Sequence, residues 1–145
     1  MRILVDGDAC PSKEIIVELA KKYQLEMLVF IDYAHTLSNH DYQVIMCEVG
    51  DDSVDMMIIN SIQSGDIVIT QDYGLASLVL SRQAKVVHTS GKIIDNLNID
   101  QLLMTRYISA KQRKSGIRTK GPAKRTKADE LYFKQQLEET IVGKT

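Results

Sequence analysis

Cysteine, long apolar runs and, over one stretch, acidic side chains are all scarce in this chain, and each shortage excludes something. The two cysteines, Cys10 and Cys47, stand far apart with no CxxC spacing, so reduced thiols are expected rather than a disulfide framework. No apolar run approaches the roughly 20 residues a membrane helix needs. The first residues lack the basic, apolar and small-residue regions of a secretory signal, because Asp6 and Asp8 interrupt them at once. A cytoplasmic protein is therefore expected. From Arg106 to Lys127 there are nine Lys or Arg residues and no Asp or Glu. Setting that +9 against the net charge of −1 leaves −10 for everything else. An acidic body with one basic segment points to a polyanionic partner.

What is present describes an ordinary globular protein. A chain of 145 residues fits a single domain with one sizeable core. Arg2-Ile3-Leu4-Val5 reads as a buried strand running straight into Asp6-Gly7-Asp8. Pro11 sits where proline starts helices well, and Ile15, Ile16, Leu19 and Tyr23 recur at helical spacing, which predicts a helix over 11–23. Strands are expected at 26–31 and 43–49, with a loop over 32–42 between them. A second helix opens near Gly50-Asp51-Asp52-Ser53 and runs to about Gln63, with Met56, Met57 and its isoleucines in the core. Asp66 to Thr70 is the clearest strand. A helix over 75–82, a strand over 85–88 and a helix over 98–110 follow. A basic loop over about 106–127 then leads to a C-terminal helix over about 127–141. Strands alternating with helices imply an α/β fold, a three-layer α/β/α sandwich around a mainly parallel sheet. In such sheets the working site lies outside the carboxyl ends of the strands.

Both aspartate clusters fall at those ends. An unpaired carboxylate at the half-buried end of a strand is costly, so a cation or a set of donors must be near. Asp6 and Asp72 each follow an apolar strand. Asp55 lies on the second helix between Ile58 and Ile62 on one side and Ile59 on the other, in the middle of the apolar face. Helix-dipole compensation accounts for Asp51 and Asp52, but not for an acid on the core side. Capping of the following helices is the competing account of Asp6, Asp8 and Asp72. It explains each singly better than three acids aimed at one edge. Aspartates without His or Cys partners are hard ligands that suit Mg²⁺ or Mn²⁺, and such ions activate water and hold phosphates. The candidate metal ligands are Asp6, Asp8, Asp55 and Asp72. Thr70, two residues before Asp72, is placed to hold a metal-bound water, or is there simply for strand propensity. The chemistry implied is hydrolysis of a phosphate ester or diester.

Lys111, Arg113, Lys114, Arg118, Lys120, Lys124, Arg125 and Lys127 would neutralise phosphates and give salt-dependent, sequence-independent affinity. A solvated loop would show the same composition. Only Tyr107 is close by for base stacking, so specific single-strand readout is not supported. His35 and His40 lie in the expected loop and read as exposed polar residues rather than a transition-metal site. Cys10 reads as a small buried residue rather than a reactive thiol.

ILVDGDACP, then DDSVDMMI, then GDIVITQDYGLA resembles the PIN-like nuclease fold. Over nearly its whole length the chain is similar to the YaiI/YqxD group of bacterial proteins, through VDGDACP, GDIVITQDYGLA and SGIRTKGP. The resemblance implies a site at Asp6, Asp55 and Asp72 with Asp8 adjacent, Mg²⁺ or Mn²⁺ as cofactor, and RNA as substrate. A further PIN-like acid would fall near Asp95. Two other functions compete. ILVDGDACP also resembles the hhhhDxDxT signature of haloacid-dehalogenase-type phosphatases, with Cys10 in place of the Thr. There the acidic pair comes last, whereas Asp51-Asp52 precedes Thr70. A non-catalytic RNA-binding or partner-binding module is the other.

Overall fold

Ile3, Leu4 and Val5 have no exposed surface at all, because the first strand lies in the middle of the sheet and is covered on both faces. The computed structural model describes residues 1–7, 10–32, 41–47, 53–114 and 124–143, without the side chains at 113 and 114. Its strands are β1 (Arg2–Asp6), β2 (Glu26–Asp32), β3 (Gln43–Cys47), β4 (Ile67–Ile69), β5 (Lys85–Val87) and β6 (Ile93–Ile94). Its helices are α1 (Lys13–Lys22), α2 (Ser53–Ser61), α3 (Tyr73–Ser81), α4 (Ile99–Lys114) and α5 (Lys127–Val142). The strands lie in the order β3-β2-β1-β4-β5-β6. All pairs are parallel except β5 with β6.

Alternation along the strands splits the core into two layers. Ile3, Val5, Val29, Ile67 and Ile69 face α1 and α5, meeting Ile16, Leu19, Phe133 and Leu137. Leu4, Phe30 and Val68 face the other way, onto Ile58 and Ile59 of α2, Leu75 and Val79 of α3 and Ile99 of α4. The molecule is thus the three-layer α/β/α sandwich that the alternation of elements implies. Each fully buried aliphatic side chain contributes about 1.5–3 kcal/mol. A capping box starts α5: Thr126 Oγ1 accepts from the Asp129 amide, and the Asp129 carboxylate accepts from the Thr126 amide.

Several expectations need correction. Pro11 does not open the first helix, which begins at Lys13 after Ser12. Ser12 is left-handed at φ 61°, and its hydroxyl does not cap α1 but donates to Glu130 of α5. Met56 and Met57 are exposed rather than core, since 100° steps carry them off the face that buries Ile58 and Ile59. The basic stretch is not all loop, because α4 continues to Lys114. Its Lys, Gln and Arg residues are good helix formers. The two-residue β6 has no counterpart in the sequence pattern. It forms because the chain reverses after His88, with Gly91 at φ 98° packed against Tyr132 and Phe133.

Candidate functional site

The sheet turns in opposite directions from its centre: β2 and β3 extend to one side of β1, and β4, β5 and β6 to the other. Where the strand order reverses, the loops leaving neighbouring strands diverge and open a crevice at their carboxyl ends. That point lies between β1 and β4, which end at Asp6 and just before Thr70. Val5 pairs with Ile69, so Asp6 and Thr70 stand side by side one step further on. Both follow the alternation of Leu4 and Val68 and so point to the α2–α3–α4 face.

There they bond. The hydroxyl of Thr70, which has no exposed surface, donates to Asp6 Oδ2 at 2.9 Å and accepts the Asp72 amide at 3.0 Å. Thr70 therefore ties the two strand-end aspartates together. Its only proton goes to Asp6, which makes it a positioning residue for that carboxylate. Gly7 lets the chain leave β1 close against β2: a Cβ there would come within 2.6 Å of Val29 Cγ1 and 2.8 Å of Ile31 Cγ2.

Asp72 does cap α3, as the simpler account of it holds. Its Oδ1 accepts the amides of Gly74 at 2.8 Å and Leu75 at 3.2 Å. The same oxygen accepts a third hydrogen bond, from Arg106 Nη1 at 3.2 Å. Both partners of this ion pair are partly exposed (54% for Arg106, 35% for Asp72), so it is worth at most about 1 kcal/mol to stability. Capping and ligand binding do not exclude each other here, since among the described residues every hydrogen bond of the carboxylate falls on Oδ1. Asp55, half-buried on α2, shares with Asp72 a cleft of about 390 Å³ whose walls are Met56, Ile59, Leu75 and Leu78. Asp6, Asp72 and Asp55 thus converge on one edge. Asp8 lies outside the described residues.

Among the described residues, no three His, Cys, Asp or Glu side chains are grouped closely enough to cage a metal ion. The donors present nevertheless fit a hydrated hard cation. Mg²⁺ is commonly held by one or two carboxylates plus waters, and Asp6, oriented by Thr70, and Asp72, oriented by the α3 amides, are the two that leave these strands.

The basic segment meets this edge at both described ends. Arg106 is on Asp72. Arg125 donates from Nε to Ser12 Oγ at 3.1 Å and from Nη1 to the Thr89 carbonyl at 2.8 Å. Its guanidinium lies over the Phe133 ring, and its Nη2 is buried without a partner among the described residues. Arg125 is therefore chiefly a structural tie rather than a free phosphate contact. Lys111 and Lys124 are exposed. Arg118, Lys120, His35, His40, Asp51 and Asp52 lie outside the described residues, as do the side chains of Arg113 and Lys114.

Asp95 goes elsewhere. The antiparallel β6 carries it back to the amino end of β5, where its carboxylate accepts the amides of Leu97 and Asn98 at the start of α4. Two residues of the carboxyl edge carried no signal in the sequence. Arg106 belonged to a basic run, and only the helical spacing of Ile99, Leu102 and Leu103 before it could have placed it on the packed face of α4. His88 follows β5 and packs its ring against Tyr73 at 5.5 Å between centroids. Its Nδ1 accepts the Ser90 amide at 3.0 Å, and burial foremost, then Lys92, lowers its pKa. Cys10 is buried, and burial pushes its thiol up to about 11 against the pull of Lys13. It is the small buried residue that its sequence setting implies.

No helix among the described residues is long and apolar enough to cross a membrane. The solved structure of Rae1 (YacP) from Bacillus subtilis aligns over 95% of this chain and 91% of that one, at 18% identity and a TM-score of 0.44. That likeness is too distant to bear on function. A UPF0178 protein of Clostridium kluyveri is 44% identical over 143 residues, covering 99% of this chain and 94% of its own. One from Clostridium tetani is 46% identical over 137 residues, 94% of each chain. The model of a family described as uncharacterized, the YaiI/YqxD family, matches residues 4–143. With that match and these relatives, the chain belongs to the YaiI/YqxD family.

Proposed function

We propose that this protein is a nuclease that hydrolyses phosphodiester bonds in RNA with the help of Mg²⁺ or Mn²⁺. One observation carries the reading: Asp6 and Asp72 leave adjacent strands at the reversal point of the sheet, and the buried Thr70 bonds the carboxylate of the first and the backbone amide of the second. The PIN-like pattern of ILVDGDACP and GDIVITQDYGLA supports it, and so does Arg106 at the same edge.

In this reading Asp6 and Asp72 would hold the cation, and Asp8, two positions after Asp6 in the sequence, is the third candidate ligand. When bound, the cation supplies charge neutralisation at the phosphate and an acidified water. Asp55, which lines the same cleft as Asp72, would accept a hydrogen bond from the attacking water. Thr70 keeps Asp6 in a single orientation. Lys111 and Lys124 extend positive charge for the polynucleotide backbone.

The test is cleavage of mixed-sequence single-stranded RNA with Mn²⁺ or Mg²⁺ by wild type, Asp6→Asn and Asp72→Asn. The reading expects metal-dependent cleavage by the wild type and loss of at least about 100-fold in either variant, since charge at the transition state is the largest catalytic term. Equal cleavage by all three proteins would reject it. A second reading, an RNA-binding module without turnover, is favoured by the lack of a three-donor cluster among the described residues. It expects RNA binding that needs no divalent ion and no cleavage. A phosphorylated Asp6 trapped during turnover would point to the phosphatase instead.

A further inference from the structure

We propose that Arg106 is the phosphate-anchoring residue of this edge, stored on Oδ1 of Asp72 and released to a backbone phosphate when a divalent cation binds the carboxylate through its other oxygen. The inference rests on the nuclease reading and names the group that receives the substrate.

Arg106 is aimed by the helix that carries it. Ile99 is buried on α4, and Leu102 and Leu103 pack against the same core. Position 106 is the next member of that stripe, at the i, i+3, i+4, i+7 spacing of one helix face. The arginine there carries a guanidinium past the rim of the packed face to the carboxyl edge, where it meets Asp72.

The contact it makes is a weak and replaceable one. Asp72 Oδ1 already accepts two amides of α3, and a carboxylate oxygen has two lone pairs. The arginine is the third donor on that oxygen and, at 3.2 Å, no shorter than either amide. Among the described residues it gives Asp72 only Nη1, although a guanidinium presents five N–H donors in a planar fork suited to phosphate. A divalent cation and a guanidinium on one carboxylate repel each other, so Arg106 yields Asp72 as the cation arrives. Its side chain then lies beside the phosphate that the cation draws in. The pair therefore keeps the carboxylate neutralised before binding and supplies a positive fork afterwards.

The experiment measures Mn²⁺ affinity by electron paramagnetic resonance of the free ion. It also measures binding of a labelled oligouridylate by fluorescence anisotropy with Ca²⁺ present. Wild type, Arg106→Ala and Arg106→Lys are compared, with thermal melts to verify folding. Arg106→Ala should bind Mn²⁺ about two- to fivefold more tightly, the equilibrium equivalent of an exposed ion pair. It should bind the oligonucleotide at least about tenfold more weakly, as expected for a lost charge-assisted hydrogen bond. Arg106→Lys should keep wild-type Mn²⁺ affinity and recover only part of the oligonucleotide binding, because a lysine lacks the fork. An Arg106→Ala protein that binds Mn²⁺ no more tightly than wild type, or the oligonucleotide no more weakly, overturns the proposal and leaves the nuclease reading standing. A wild type that binds neither Mn²⁺ nor oligonucleotide overturns both.

Discussion

The two ends of β4 both carry aspartates, and they treat them in opposite ways. At the amino end, Asp66 is 2% exposed and accepts four hydrogen bonds: from the Arg2 amide, Arg2 Nε, Arg2 Nη2 and the Gln63 amide. The Arg2 guanidinium also donates to the Ser61 carbonyl at 2.6 Å, so both charges are satisfied by protein. At the carboxyl end, Asp72 is partly exposed, and its bonds among the described residues crowd onto one oxygen. A carboxylate whose oxygens are both met by protein donors holds a fold together. One with an oxygen left toward a cleft is arranged for something from outside. Burial and hydrogen-bond saturation, not the identity of the residue, separate the two roles.

Breaking the closed end should cost the most. Asp66→Ala leaves the Arg2 charge without its partner and the Gln63 amide without its acceptor, and should lower stability by about 3–5 kcal/mol in urea unfolding. Thr70→Val comes next. It removes the hydroxyl that serves Asp6 and the Asp72 amide, so a loss of about 1–3 kcal/mol is expected, together with weaker Mn²⁺ binding because Asp6 is no longer oriented. At the open end, Asp72→Asn should lower stability by no more than about 1 kcal/mol, the most that the exposed Arg106 pair is worth, since asparagine caps a helix as well as aspartate does. The same variant should lose Mn²⁺ binding, and that dissociation of stability from binding is the sharpest form of the contrast. The smallest effect is a response to pH. His88 sits at the open edge with its pKa lowered from 6.5, so the unfolded chain takes up the proton first as pH falls. The stability that the neutral ring contributes is whole above 6.5 and is lost as acid passes through the folded value. His88→Gln should flatten the stability profile in that window, measured as unfolding midpoint against pH.

The open end was far more legible in the sequence than the closed one. Ile3-Leu4-Val5 and Ile67-Val68-Ile69 announce buried strands by composition alone, and an aspartate directly after such a run is visible without a structure. Asp55 was visible for a similar reason, a charge on an apolar helical face. The closed end depends on Arg2 meeting a residue 64 positions away, and Arg106 meets Asp72 across 34. Such pairs are set by strand order and helix packing, which local pattern does not encode. The reversal of the sheet between β1 and β4 was likewise beyond periodicity, although it makes the crevice. Asp95 was misplaced for the same reason, because one hairpin around Gly91 sends it to the opposite edge. The basic stretch reads as loop through its Gly, Ser, Thr and Pro122, but Lys111-Gln112-Arg113-Lys114 at its start are good helix formers and extend α4.

The sheet face under α1 and α5 has a consequence for the birth of the protein. Phe133 and Leu137 fill the same layer as Ile3 and Val5, so the central strand shares a core with residues made about 130 positions later. On the other face, α2, α3 and the start of α4 are complete once Ile99 has been made. A growing chain therefore exposes a half-covered apolar sheet until α5 emerges, a delay of a few seconds at ~5–20 residues per second. A ribosome that stops before Lys127 releases a product with Ile3, Val5, Val29 and Ile69 lacking that cover. Such a fragment should be a client for chaperones and proteases, not a shorter working protein.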